Sequence, residues 1–284
     1  VVGVGISNNK QPRAWSFSGQ GDFKSAEVPS DDQQGEMLDV TTAGATLVAV
    51  GWTGTAQRNR AAVWTSTDGA KWDLVPSDGD FKPNSGIKKI TAVTTGADGK
   101  LLAIARDDRA DKTAGDSAVY TSTDGRSWAS VAATGLSGSG PQDVNRVTKA
   151  GDNSFLAVGA VLQGAGLGPA LWKSTDGVKW EQSPYYPDGF PSLQSVAKQA
   201  NGKMVVCGSI GTRKPPTASC WTQSGDNWER WDIATDPNSP RAMLLYGMYA
   251  AGDNVFVVGE GQTGDASNLV TDAGMWTLNF GAHK

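Results

Sequence analysis

The sequence predicts an all-β protein: a six-bladed β-propeller of four-stranded antiparallel meanders whose first and last blades are incomplete. Three observations carry that expectation. An aromatic residue opens a recurring stretch at Trp15, Trp64, Tyr120, Trp172, Trp221 and Trp276, at intervals of 49, 56, 52, 49 and 55 residues. A period near 50 suits a four-strand blade. A second signal precedes each aromatic, reading Val4-Gly5, Val50-Gly51, Ile104-Ala105, Val158-Gly159, Cys207-Gly208 and Val258-Gly259. Glycine, 36 of 284 residues, gathers in short polar clusters between apolar runs. That is the punctuation of many short strands, and no segment carries a helical apolar stripe longer than two turns.

Each module reads as four strands, A to D. The run that ends in the Val-Gly signal, such as Leu47 to Val50 or Val255 to Val258, is continuously apolar, which marks strand B as buried on both faces. Strand A and a turn come before it, as in Leu38 to Gly44 and Val196 to Gly202. A long loop follows, then strand C with its aromatic, a Ser-Thr-Asp-Gly turn, and an outer strand D such as Trp72 to Val75. Six such meanders, at about 1–29, 36–77, 87–133, 142–184, 191–233 and 243–284, are expected to form one domain. A closed ring accounts better than a solenoid for the lack of capping modules. Module 1 opens at strand B and module 6 stops in or just after strand C, so two strands of a perfect ring are missing. Thinner terminal blades or a longer parent chain would explain this, and the second is preferred.

The turns themselves carry a motif: Ser66-Thr67-Asp68-Gly69-Ala70-Lys71-Trp72, Ser122-Thr123-Asp124-Gly125-Arg126-Ser127-Trp128 and Ser174-Thr175-Asp176-Gly177-Val178-Lys179-Trp180. It resembles the Asp box, or BNR repeat, of sialidase-like propellers, with one residue fewer between Asp and Trp. A fourth copy, Ser224-Gly225-Asp226-Asn227-Trp228, is degenerate. The physics is local: the Asp side chain accepts backbone N–H bonds two residues on, Gly supplies a positive φ, and the Trp plugs the hairpin. The repeats are also similar to those of secreted actinobacterial propellers of unassigned function. In the family these turns lie on the face opposite the active site, which implies structural roles for Asp68, Asp124 and Asp176.

Cys207 and Cys220 occupy repeat positions that face each other across strands B and C, where opposed Cβ atoms are about 4.5–5.5 Å apart. A disulfide is expected, and with it a secreted or cell-surface protein. The chain opens Val-Val-Gly-Val-Gly, without the charged and apolar regions of a signal peptide. No apolar run approaches the roughly 18 residues of a membrane span. A net charge of −4 offers no basic face to nucleic acid. Two thiols and the single His283 make no metal set, so no metal or cofactor is expected, and the chain is read as a monomer.

Ligand contacts are expected in the B–C and D–A loops, which vary while the strands repeat. Just past the Val-Gly signal stand Ile6, Trp52, Arg106, Ala160, Ser209 and Glu260. The repeats disagree here, so fold alone does not dictate these residues. Arg106 and Glu260 suit a polar ligand and Trp52 a sugar ring, against the alternative of an ion pair and a packed indole. Tyr185 and Tyr186, with Phe81 in an earlier linker, suit an interface or carbohydrate platform, against rings folded onto the blades. The loop Arg106-Asp107-Asp108-Arg109-Ala110-Asp111 has carboxylates for Ca²⁺ but lacks an EF-hand pattern and is read as solvated.

Two functions follow, and the first is preferred: a non-catalytic binding or scaffold propeller for a protein or carbohydrate partner. The alternative is a sialidase-like glycoside hydrolase or lyase. The sialidase resemblance implies three arginines, a Tyr nucleophile with a Glu partner, an Asp acid/base and an early Arg-Ile-Pro motif. That motif is absent. Arg58, Arg60, Arg106, Arg109, Arg213 and Arg241 supply candidate arginines, but no pattern selects three. With His283 at the chain end, a Ser-His-Asp triad has no base.

Overall fold

The structure is a computed structural model that describes residues 1–17, 22–30, 34–55, 58–109, 115–164, 166–183, 192–210, 217–225, 227–233, 241–263 and 270–280. The chain is all-β, with six antiparallel sheets, one per repeat, as the blades of a six-bladed propeller. The first sheet is β1 (Val2–Ile6), β2 (Pro12–Ser16) and β3 (Lys24–Glu27). The second is β4 (Gly35–Ala43), β5 (Thr46–Thr53), β6 (Arg60–Ser66) and β7 (Asp73–Leu74). The third is β8 (Ile87–Thr95), β9 (Leu101–Asp107), β10 (Asp116–Ser122) and β11 (Ala129–Val131). The fourth is β12 (Gln142–Lys149), β13 (Phe155–Gln163), β14 (Gly166–Ser174) and β15 (Glu181–Gln182). The fifth is β16 (Ser192–Lys198), β17 (Met204–Ile210), β18 (Thr217–Ser224) and β19 (Asn227–Asp232). The sixth is β20 (Arg241–Ala251), β21 (Asn254–Thr263) and β22 (Val270–Asn279). Among the described residues no helix is long and apolar enough to cross a membrane.

The chain divides into two compact units, Val1–Phe155 with Ser174–Glu181, and Leu156–Lys173 with Gln182–Lys284. In the first unit, the apolar B strands are buried on both faces. Val48 and Val50 pack with Ala61 and Val63 against Ile87, Ile90, Leu101 and Ala103 of the third sheet. The alternate residues Ala49, Ala62 and Trp64 pack with Met37 against Ala14 and Ala26 of the first. In the second unit, Val205, Cys207 and Cys220 of the fifth sheet pack on Leu245, Val255 and Val257 of the sixth.

The strand C aromatics do more than fill space. Trp64 is fully buried and its indole N–H donates to the Pro29 carbonyl at 2.7 Å. Tyr120 is buried and its hydroxyl donates to Asp80 Oδ2 at 3.0 Å. Each ring thereby ties its blade to the linker that precedes it. Burial, then the Asp80 hydrogen bond, pushes the Tyr120 phenol well above its ordinary value.

The three intact turns are near copies. Asp68 Oδ1 accepts from the N–H of Ala70 and Lys71, both at 2.8 Å, and Ser66 Oγ accepts from the N–H of Gly69 at 2.8 Å. Trp72 Nε1 closes the turn on the Gly69 carbonyl at 3.1 Å. Asp124 and Asp176 repeat these bonds. Those backbone bonds are the largest reason that all three carboxyls sit below their usual range. The glycines Gly69, Gly125 and Gly177 have φ of 73°, 71° and 73°. Each turn also presses on the preceding blade. A Cβ on Gly125 would lie 2.6 Å from Val48 Cγ2, and one on Gly177 2.6 Å from Leu102 Cδ1.

The two cysteines pair in register on β17 and β18 and form a disulfide. The degenerate turn is a tight hairpin in which Ser224 faces Asn227.

Three stability changes are expected from these contacts. Gly125→Ala combines a clash with a left-handed backbone, so it should lose roughly 2–4 kcal/mol in urea denaturation. Gly44→Ala, with φ 61° and nothing near its Cβ, should lose only about 1–2 kcal/mol. Reducing the Cys207–Cys220 bridge should lower stability by roughly 3 kcal/mol for a loop of this length, read as a fall in the denaturation midpoint under reductant.

Candidate functional site

In the second sheet the start of strand A, the end of strand B and the start of strand C share one edge, in the row Gly35, Thr53, Arg60, and the third, fifth and sixth sheets repeat this. The three Asp boxes lie at the opposite edge. The A strands are irregular near the Val-Gly signal. One extra residue is inserted at Leu38, Thr91, Gln194 and Tyr246, opposite Val50-Gly51, Ile104-Ala105, Cys207-Gly208 and Val258-Gly259 respectively. A bulge of this kind bends the strand and re-aims side chains. In the second sheet it also accounts for the glycine of the signal. A Cβ on Gly51 would run into the Glu36 backbone carbonyl.

In the first unit, Trp52 is the penultimate residue of β5 and is half-buried. Its indole N–H donates to Glu36 Oε2 at 3.1 Å, from the start of β4. Arg106, near the end of β9, donates from Nε to Asp108 Oδ1 at 3.1 Å and from Nη1 to both oxygens of Asp143 at 3.3 Å. Lys88, the second bulged residue of β8, reaches Asp108 Oδ2 at 3.5 Å. The Gly115 N–H donates to Asp108 Oδ1 at 3.0 Å. Burial pushes the Asp108 carboxyl up, but Arg106, Gly115 and Lys88 together outweigh it and hold it below the usual range. Arg109 forks onto the buried Asp107. Deeper on β4, burial raises the Asp39 carboxyl despite the Arg146 charge and the Val93 and Val40 N–H groups.

In the second unit, Glu260 of β21 accepts from the Tyr246 hydroxyl at 2.6 Å. Tyr246 is half-exposed on the β20 bulge, diagonal to Glu260 across the strand pair. A phenol hydrogen-bonded to a carboxylate is an arrangement in which the carboxylate can take the phenolic proton. The Tyr120–Asp80 pair differs, because the Tyr120 ring is buried in the core.

The expected site residues therefore divide. Trp52, Arg106 and Glu260 each lie in the last part of a B strand and each bond to another side chain. Phe81 is corrected: it sits in the turn Gly79–Phe81, is 7% exposed, and packs on Tyr120 at 4.8 Å and on Trp128. The apolar ring is withdrawn from solvent and forms part of the core between the second and third sheets. Ala160 is buried, whereas Ile6 is partly exposed. Tyr185, Tyr186, Arg213, His283 and residues 110–114, with the side chains of Ser209 and Arg241, lie outside the described residues. Sequence reasoning missed Glu36, Asp143 and Tyr246. The signal available for Tyr246 was an aromatic at the inner-strand position that Leu38, Thr91 and Gln194 take elsewhere.

No protein-family model matches the chain, and no curated protein sequence matches it. Solved structures share its fold. An α-L-arabinofuranosidase mutant of Fusarium graminearum, in complex with an iminosugar inhibitor, superposes with a TM-score of 0.66 at 18% identity, over 95% of this chain and 85% of that one. Trypanosoma rangeli sialidase, in complex with an inhibitor, superposes with a TM-score of 0.62 at 12% identity. This chain is covered over 91% and spans about half, 49%, of the sialidase. Sucrose-6-phosphate hydrolase from Lactobacillus gasseri gives a TM-score of 0.53 at 12% identity, over 88% and 60% of the two chains. These neighbours are propeller glycoside hydrolases and a sialidase.

The Asp108 network predicts a pH signature. A carboxyl held below its unfolded value stabilises the fold above that value, and the contribution is lost as pH falls through the folded pKa. Asp108→Asn should cost about 1 kcal/mol at pH 7. The difference from the wild type should shrink as pH drops below about 4, measured by urea denaturation across pH 7 to 3.

Proposed function

We propose that this protein is a glycoside hydrolase that uses Tyr246 as nucleophile and Glu260 as its base. The observation that carries the reading is the 2.6 Å hydrogen bond from the Tyr246 hydroxyl to Glu260 Oε1 on a solvent-accessible bulge. A phenol is a weak nucleophile at neutral pH, and an adjacent carboxylate removes its proton as attack begins. The bond from Tyr246 Oη to the anomeric carbon forms as the bond to the leaving oxygen breaks. Glu260 takes the phenolic proton, and the leaving oxygen takes a proton from an acid or from water. Water then attacks the glycosyl–tyrosine and gives up a proton to the base left by that acid or to solvent, Glu260 returns its proton to the phenol as the bond to Tyr246 Oη breaks, and configuration is retained. This is the double displacement of a retaining glycosidase, with a phenol in place of the carboxylate nucleophile.

The glycosidase neighbours support this order of preference, which reverses the one the sequence alone suggested. A binder needs only a rigid frame and variable loops, and neither feature calls for a phenol aligned on a carboxylate. The disulfide is consistent with a secreted protein acting on extracellular glycans.

The test is a panel of aryl glycosides that includes α-L-arabinofuranosides, sialosides and fructofuranosides. Hydrolysis is expected for at least one class. Tyr246→Phe and Glu260→Gln should each lower kcat by at least about 10²-fold, with the fold intact by circular dichroism. A 2-fluoro glycosyl fluoride of the cleaved sugar should leave an adduct mapped to Tyr246 by mass spectrometry. Hydrolysis that survives both variants, or binding without any cleavage, overturns the assignment.

A further inference from the structure

The first unit carries a second feature with recognition chemistry, separate from the Tyr246–Glu260 couple. Trp52 stands where the other repeats have Ile6, Arg106, Ala160, Ser209 and Glu260, so the blade fold does not require an indole there. The ring is half-buried and keeps part of its surface in solvent. Its N–H is spent on Glu36 Oε2 at 3.1 Å, which fixes the ring orientation before any ligand arrives. Binding to such a ring costs little side-chain entropy. Glu36 is itself half-buried, and among the described residues its second oxygen has no hydrogen-bond partner.

We propose that Trp52 and Glu36 form a subsite for a neutral sugar ring. The indole supplies an apolar surface for the C–H face of the sugar, and the second Glu36 oxygen accepts a ring hydroxyl. The charge balance selects neutral ligands. A carboxylate acceptor disfavours an anionic sugar, and Arg60, on the same edge of the second sheet, is buried and donates from Nε to Ser77 Oγ at 3.4 Å. Arg106 is held by Asp108 and Asp143, and Lys88 by Asp108. The proposal shares the carbohydrate reading given above but does not depend on Tyr246 being catalytic, because the subsite binds whether or not cleavage follows.

The test uses the whole chain with the Tyr246→Phe change, so that a ligand is not turned over. Titration with methyl glycosides of neutral pentoses and hexoses, and with N-acetylneuraminic acid, is followed through the indole ¹⁵N–¹H resonances. The Trp52 resonance is assigned by its loss in Trp52→Phe. A saturable shift of that resonance with a neutral sugar is expected, with at least tenfold weaker binding of N-acetylneuraminic acid. Trp52→Ala should weaken the neutral sugar about tenfold or more, and Glu36→Gln several-fold. Trp52→Phe, which keeps an aromatic surface, should lose less than Trp52→Ala and guards against a mere folding defect. An unmoved Trp52 resonance at saturating sugar, equal affinity in Trp52→Ala, or preference for the anionic sugar overturns the proposal. Loss of hydrolysis in Tyr246→Phe with intact Trp52 binding separates the subsite from the catalytic assignment. An absence of any hydrolase activity beside a clear Trp52 shift would sink the catalytic reading and leave the subsite standing.

Discussion

The fold depends on a close approach. At the turn between strands C and D, the chain presses a glycine onto the strand B core of the blade before it: Gly69 against Val2, Gly125 against Val48, Gly177 against Leu102. Only a residue without a Cβ fits, and only one that tolerates positive φ closes the turn. The Ser and Asp of the motif satisfy the N–H groups that this tight turn would otherwise leave unpaired. The Trp covers the turn and bonds back to the same glycine. The motif is therefore a latch between neighbouring blades as well as a turn, and this is why it recurs with so little variation. The grouping of Ser174–Glu181 with the first unit follows from the same contact, since the turn at Gly177 packs on Leu102 and Phe155.

Because the latch is built from local sequence, the architecture was legible. Strand B reads as an unbroken apolar run because both its faces are covered, and Val48, Ala49 and Val50 are all fully buried. The disulfide was legible by a different route. Superposing the repeats put Cys207 and Cys220 on facing positions, and the register pairs them. Phe81 was misread because an aromatic in a polar linker looks like a surface ring. Nothing local shows that Tyr120 and Trp128 stand ready to receive it.

The site was only half legible, and the reason is physical. Period-two alternation assigns each strand residue to a face, but a single bulge shifts everything after it by one position. The inner strands carry such a bulge at Leu38, Thr91, Gln194 and Tyr246. Disagreement among the repeats at the end of strand B was visible, and it pointed to Trp52, Arg106 and Glu260. Their partners were invisible, because Glu36, Asp143 and Tyr246 lie on inner strands where a run of mixed residues gives no sign of which side chain is turned outward.

Those pairings bear on how a repeat protein comes to carry chemistry. Three departures from the repeat near the end of strand B are matched by a partner on an inner strand: an indole with a carboxylate, a guanidinium with a carboxylate, a carboxylate with a phenol. A lone polar substitution at a half-buried strand end would lose hydration without gaining a partner. A matched pair avoids that cost and fixes both side chains. Of the three pairs, the ion pair neutralises itself and stabilises the frame. The Trp52–Glu36 pair leaves an acceptor oxygen and ring surface unspent. Only in the Tyr246–Glu260 pair does the bonded proton belong to a group that becomes a nucleophile on losing it. That difference in what each pairing leaves available is why the catalytic assignment rests on the sixth sheet and the sugar subsite on the second.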